Sequence, residues 1–276
     1  MTTDIVANSL GDIRIAGAAG GVACTTTAAF TSFHKGTNWI SLTPRNFDAG
    51  ATVCRILLSP YLTILKTTDL LVALTNMTDY SKNAQDANSA TLVTLSSLNT
   101  LANGDCLYVG SHVPFRGVYM TGTAYNTNAS ILTVKYWQDA ATDAWTTTSA
   151  TDGTIAPAGT SLGQSGLVYW TVPTDWKCAS LKDIGDTVLP VGGPLNDKLY
   201  WTRWEWSAAL DSTTTFNQMV AANSSTAYAE LVESQVLEQR IHNDTGGIGG
   251  VESLTNAGTG NLVVNCATLS TGNKFS

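Results

Sequence analysis

Charged side chains are scarce in this sequence. They make up 13% of 276 residues, about half the roughly 25% of an average soluble domain. Lys and Arg number only 14 against 21 Asp and Glu, for a formal net charge of -7 and a pI near 4.8. A chain so poor in cations lacks the basic face that displaces counterions from nucleic acid, so no nucleic-acid partner is expected. Histidine occurs three times, at His34, His112 and His242, in separate turn-like segments with no second ligand at metal-binding spacing. Neither a His-Glu-x-x-His helix nor a Gly-x-Ser-x-Gly elbow is present. A non-enzymatic chain without metal or cofactor is therefore expected. The five cysteines, Cys24, Cys54, Cys106, Cys178 and Cys266, are odd in number and widely spaced, with no Cys-x-x-Cys pair. That pattern signals neither a disulfide framework nor a zinc site and predicts buried, free thiols formed in a reducing cytoplasm. No run approaches the ~20 apolar residues of a membrane span, so no membrane partner is expected. Residues 15–33 are uncharged but built from Ala, Gly and Thr, and are preceded by Asp4, Asp12 and Arg14. They are not read as a secretory leader.

What is abundant favours strands. Threonine occurs 41 times and glycine 24 times; the first is β-branched and the second breaks helices. Alternation is clearest in Leu132, Val134 and Tyr136 against Thr133 and Lys135, in Val168, Trp170 and Val172, in 199–207 and in 262–266. These are patterns of half-buried antiparallel strands. Asn103-Gly104 between two apolar runs predicts a turn, since both residues tolerate positive φ. The expected fold is all-β, an antiparallel β-sandwich of jelly-roll-like character with an extended N-terminal arm. Residues 1–50, too rich in Gly, Ala and Thr to build a core, are assigned to the arm, and residues 51–276 to the sandwich body. Residues 228–241 resist assignment: good helix formers fill them, yet their apolar residues fit a helical and a strand period equally badly. Both readings stay open there.

Three features invite a chemical reading. Gly246-Gly247-Ile248-Gly249-Gly250 has the look of a phosphate cradle, but no helical run follows to supply converging N–H groups, so a loop is expected. Seven of the eight tryptophans fall between residues 137 and 206. Such a cluster serves either as the filling of a sandwich or as a platform on which sugars stack. The core reading is favoured, and Trp201, Trp204 and Trp206 stand as the glycan-stacking candidates. Arg203 and Glu205, two apart on one strand face, are read as a neighbouring ion pair rather than a catalytic pair. In the arm, Phe33, Trp39 and Ile40 are large apolar groups in need of burial, while Arg14, Lys35 and Arg45 concentrate positive charge. Together these six are the candidate partner interface.

Four segments carry a family resemblance: Phe115-Arg116-Gly117-Val118-Tyr119, the stretch from Asn128 to Trp137, the stretch from Gly166 to Trp176, and Leu199-Tyr200-Trp201-Thr202-Arg203-Trp204. They resemble a β-sandwich found in tailed-bacteriophage virion proteins, over residues 90–220. The resemblance implies a structural protein without enzymatic activity, most simply a capsid decoration (cement) protein that binds the major capsid protein on the outer surface of the head and stabilises it. It further implies assembly in the host bacterial cytoplasm and self-association, with a trimer suited to the local threefold positions of the shell. The alternative is a carbohydrate- or receptor-binding module of a tail fibre or adhesin. A hydrolase would need two carboxylates flanking a cleft, and no such pair is marked out.

Overall fold

The computed structural model describes residues 7–10, 14–16, 22–26, 29–32, 39–84, 89–156, 159–185, 198–222, 229–240, 248–267 and 269–271. The described chain is built from antiparallel strands, with one four-residue α-helix, Leu181–Ile184, and two short 3-10 turns. It divides into two compact units, one of residues 1–58 and 225–276 and the other of residues 59–224.

This division corrects the expected arm at 1–50 and body at 51–276. The first unit joins the two ends of the chain. Its five-stranded sheet centres on Gly260–Ala267, which pairs with Trp39–Arg45 on one side and with two short strands, Arg14–Ala16 and Val22–Cys24, in succession on the other. Leu237–Arg240 extends it beyond Trp39–Arg45. A four-stranded sheet runs Ala229–Leu231, Cys54–Pro60, Ile248–Thr255, Ala29–Ser32. Side chains of both sheets meet in one core: Cys24, Ile40, Leu42, Leu262 and Val264 from the first, Cys54, Ile56, Leu231 and Val251 from the second. The N-terminal strands do lack the apolar residues for a core of their own. They are held by backbone ladders to strands more than two hundred residues later, which local composition does not reveal.

The second unit is the expected sandwich. Its seven-stranded sheet runs Ala144–Thr147, Leu132–Gln138, Leu199–Trp206, Asp105–Ser111, Thr63–Thr68, Met77–Asp79, with Cys178–Ala179 also on Leu199–Trp206. The five-stranded sheet runs Thr151–Asp152, Gly166–Tyr169, Gly117–Ala124, Thr215–Ala222, Val93–Thr94. From Asp105–Ser111 onward the chain passes back and forth between the two sheets, as single strands or as consecutive pairs, the jelly-roll-like winding that the spacing of turns anticipates. Ile64, Leu107, Val109, Val134 and Trp204 of one sheet pack on Val118, Met120, Val168 and Phe216 of the other. The predicted turn is present: Gly104 has φ +84° and closes the 3-10 turn Leu101–Asn103. The strands flanking it go to different sheets, Val93–Thr94 to the five-stranded and Asp105–Ser111 to the seven-stranded one.

The seven-stranded sheet is covered on its outer face as well. Leu65, Tyr108, Trp137, Trp201 and Leu199 form a second cluster there, beneath Ala179, Leu181 and Ile184. Helix Leu181–Ile184 is fixed by a reciprocal capping box, in which Ser180 and Asp183 each bind the other's backbone N–H. Gly110 lies opposite Trp201 in the ladder. A Cβ at residue 110 would stand 2.6 Å from the indole, so only glycine lets that ring lie across the strand.

Candidate functional site

The strand Leu199–Trp206 carries the residues on which the two readings of the tryptophans turn. Its alternation points Thr202, Trp204 and Trp206 into the space between the sheets and Trp201, Arg203 and Glu205 to the outer face. Trp201 is 1% exposed, Trp204 0% and Trp206 3%. A sugar-stacking platform needs an open ring face, so the glycan candidates are corrected to core residues. The indole of Trp204 donates to Thr202 Oγ1 at 3.0 Å, and that hydroxyl donates to the Val109 carbonyl at 3.0 Å. Trp201 donates to the Ala179 carbonyl at 2.9 Å, and Trp176 to the Trp201 carbonyl at 3.1 Å. Phe115, Trp170, Trp176 and Tyr200 continue the packing as edge-on or tilted rings 5.2–6.4 Å apart, a geometry that adds to plain area burial.

Outside the sheet, Arg203 and Glu205 form the expected ion pair at 2.7 Å. Lys135, opposite Arg203 in the ladder, joins it at 3.1 Å from Glu205. The Arg203 guanidinium also lies 4.8 Å from the centre of the Trp145 ring. Each carboxylate oxygen of Glu205 thus faces a cation. The group is a pinned structural cluster rather than a poised acid.

The same holds for the aspartates, through a motif that periodicity does not expose. In Asp79-Tyr80-Ser81 and Asp152-Gly153-Thr154 the carboxylate accepts from both the N–H and the hydroxyl of the residue two ahead. The same hydroxyls accept the N–H of Ile64 and of Leu162, tying each turn to a neighbouring segment. Asp211 and Asp48 go further. One oxygen of Asp211 holds its own turn through Thr213 and Thr214, and the other takes the N–H and hydroxyl of Thr127. Asp48 does likewise with Gly50 and Ala51 on one oxygen and Thr259 on the other. Burial raises the Asp211 carboxyl, but the N–H groups of Thr213 and Thr127 and the threonine hydroxyls outweigh it and hold it well below the usual carboxylate range. Hydrogen bonds from Thr259 lower Asp48, and those from Gln138 and Tyr136 lower Asp175. For Asp79, Asp152 and Asp211 the signal available in the sequence is Asp followed two residues on by Ser or Thr; Asp48 and Asp175 do not carry it.

Of the six candidate interface residues, Ile40 is fully buried in the core of the first unit and is corrected to a core residue. Arg45 is exposed at the end of its strand, where its backbone pairs with Asn261. Arg14 and Trp39 lie on strands that pair with opposite sides of Gly260–Ala267, at Cys266 and Ala267. Phe33 and Lys35 lie outside the described residues, as do His34 and His242. His112 is exposed in the loop after Asp105–Ser111. Among the described residues no three His, Cys, Asp or Glu side chains converge as a metal site would require. No helix among them is long and apolar enough to cross a membrane. Residues 228–241 contain strands Ala229–Leu231 and Leu237–Arg240, which settles the open reading in favour of strand wherever the chain is described as regular.

No family model and no curated protein matches the chain. A solved structure of infectious bursal disease virus, Gt strain, aligns with 94% of this chain and 81% of its own at 8% identity, with a TM-score of 0.16. A score that low carries no argument about fold or role.

Proposed function

We propose that the chain is a non-enzymatic structural protein of a tailed-bacteriophage virion, decorating the outer surface of the capsid and stabilising it. The observation that carries the non-enzymatic part is the engagement of the acids. Asp48, Asp69, Asp175 and Asp211 hold partners with both carboxylate oxygens, Glu205 is paired with two cations, and Asp152 holds its turn with one oxygen while the other is buried without a partner. A general acid or base must instead face the substrate with a free oxygen. The virion part rests on the resemblance of the segments around Phe115, Trp137, Trp170 and Trp201, all of which belong to the sandwich of residues 59–224. Burial of the tryptophans favours this reading over the glycan-binding module.

The partner in this reading is the major capsid protein, with self-association as a trimer, and Arg45 is an exposed candidate contact. The test is co-sedimentation of the purified chain with empty capsids of the encoding virus. Saturable binding that resists competition by free sugars is expected. A chain that stays in the supernatant at every ratio, or that turns over a substrate, overturns the proposal.

A further inference from the structure

Cys24 and Cys54 face each other across the core of the first unit. Cys24 ends Val22–Cys24, on the edge of the five-stranded sheet, and Cys54 opens Cys54–Pro60 in the four-stranded sheet. Their sulfurs are 3.6 Å apart, and both side chains are fully buried. We propose that these two residues are a latent inter-sheet disulfide, closed by thiol–disulfide exchange with a small-molecule disulfide such as oxidised glutathione. The inference does not depend on the virion reading.

The sulfurs are in van der Waals contact at 3.6 Å, and closure to a bond length of about 2.05 Å brings them about 1.5 Å nearer. The pair is also chemically asymmetric. The Cys54 thiol hydrogen-bonds to Cys24, which favours thiolate at Cys24 and pushes Cys54 up. In the first step the Cys24 thiolate attacks one sulfur of the small disulfide, breaking its S–S bond, forming a mixed disulfide and expelling one thiolate. In the second, Cys54 gives its proton to that thiolate and attacks the Cys24 sulfur, expelling the second thiolate, which takes a proton from water. Two electrons pass from the protein thiols to the small disulfide, and one S–S bond replaces another.

Access comes from the edge. Val22–Cys24 is three residues long and pairs in the ladder with Gly260–Ala267, and the chain beyond it is tied once more, by the Thr255 N–H to the Thr25 carbonyl. Local opening of so short a strand exposes Cys24 without unfolding the sheet. Cys106 and Cys178 belong to the other unit, and burial pushes the Cys106 thiol up to about 12. The ring closed by the bond contains Ala29–Ser32 and Trp39–Arg45, one strand from each sheet. It therefore removes freedom from the unfolded chain between Cys24 and Cys54.

The full-length chain is reduced, exchanged into a buffer containing oxidised glutathione, denatured, and alkylated for mass spectrometry. The expected result is loss of two of the five thiols, a linked peptide joining Cys24 to Cys54, and a melting temperature raised by about 5–10 °C. Dithiothreitol reverses all three. In C24S, C24A and C54S the linked peptide and the rise on oxidation are both absent. Five alkylated thiols after prolonged exchange, a glutathione adduct on Cys24 that never resolves, or a link through Cys106, Cys178 or Cys266 overturns the proposal. The wild-type peptide map decides even where a variant fails to fold.

Discussion

Trp204 occupies the gap between two sheets while its N–H is received by Thr202, so its removal leaves a large void together with a hydroxyl that has lost a donor. Trp204→Ala is expected to destabilise the chain by about 3–5 kcal/mol, as deletions of large buried aromatics do. A urea titration followed by tryptophan fluorescence and circular dichroism measures it. Gly110, opposite Trp201 in the ladder, tests packing from the opposite direction. Gly110→Ala inserts a methyl group against the Trp201 indole, and overpacking of this kind costs about 1–3 kcal/mol. A variant as stable as the parent would show that the ring has room to move. Leu199–Trp206 also shows what was legible in the sequence. Period two identified the strand and separated Trp204 from Trp201, and it paired Arg203 with Glu205. It did not show that both faces are covered, because the cover over Trp201 comes from Ala179 and Leu181, a segment with no strong periodicity of its own.

Among the elements, the aspartate-held turns determine how the molecule responds to acid. A carboxyl whose folded-state value is depressed contributes stability that is complete above its unfolded value, near pH 4, and is lost as pH falls through the folded value. Asp211, Asp48 and Asp175 are all lowered, so stability is expected to hold from neutral pH to about pH 4 and to decline below it. Asp211→Asn keeps the shape but removes the charge and replaces one of the two accepting oxygens by an amide nitrogen that faces the N–H of Thr127 or of Thr213. It is expected to lower stability at pH 7 and to shrink the difference from the parent toward pH 2, in urea melts taken across that range. An equal difference at both ends would remove the charge from the explanation. Residues 228–241 mark the limit of propensity at this scale. Glu230, Leu231, Leu237 and Glu238 are good helix formers, yet Ala229–Leu231 finds Cys54–Ile56 as its ladder partner and Leu237–Arg240 finds Trp39–Leu42. Tertiary pairing outweighs intrinsic preferences of a few tenths of a kcal/mol per residue (~0.2–0.7). Those partners lie some two hundred residues earlier, where periodicity names a face but never a neighbour.

At the scale of the whole molecule, the described strands within residues 1–32 are paired into the sheets of the first unit. Removal of residues 1–32 takes away Arg14–Ala16 and Val22–Cys24 from Gly260–Ala267, and Ala29–Ser32 from Ile248–Thr255. The truncated chain is expected to retain the melting transition of the 59–224 sandwich, which has its own core, and to lose that of the first unit. Hydrogen exchange resolved by peptide separates the two. Full protection throughout 248–267 in the truncated chain would restore the arm reading. The joining of the chain's two ends also sets a timetable for synthesis. A ribosome delivers Arg14–Ala16, Val22–Cys24 and Trp39–Arg45 first and Gly260–Ala267, the strand that all three flank, almost last. The sandwich of residues 59–224 is complete and free to fold while the earlier strands still wait, unpaired, for residues 237–267 to emerge. During that interval, exposed strand edges near the N-terminus are what a nascent-chain chaperone would meet.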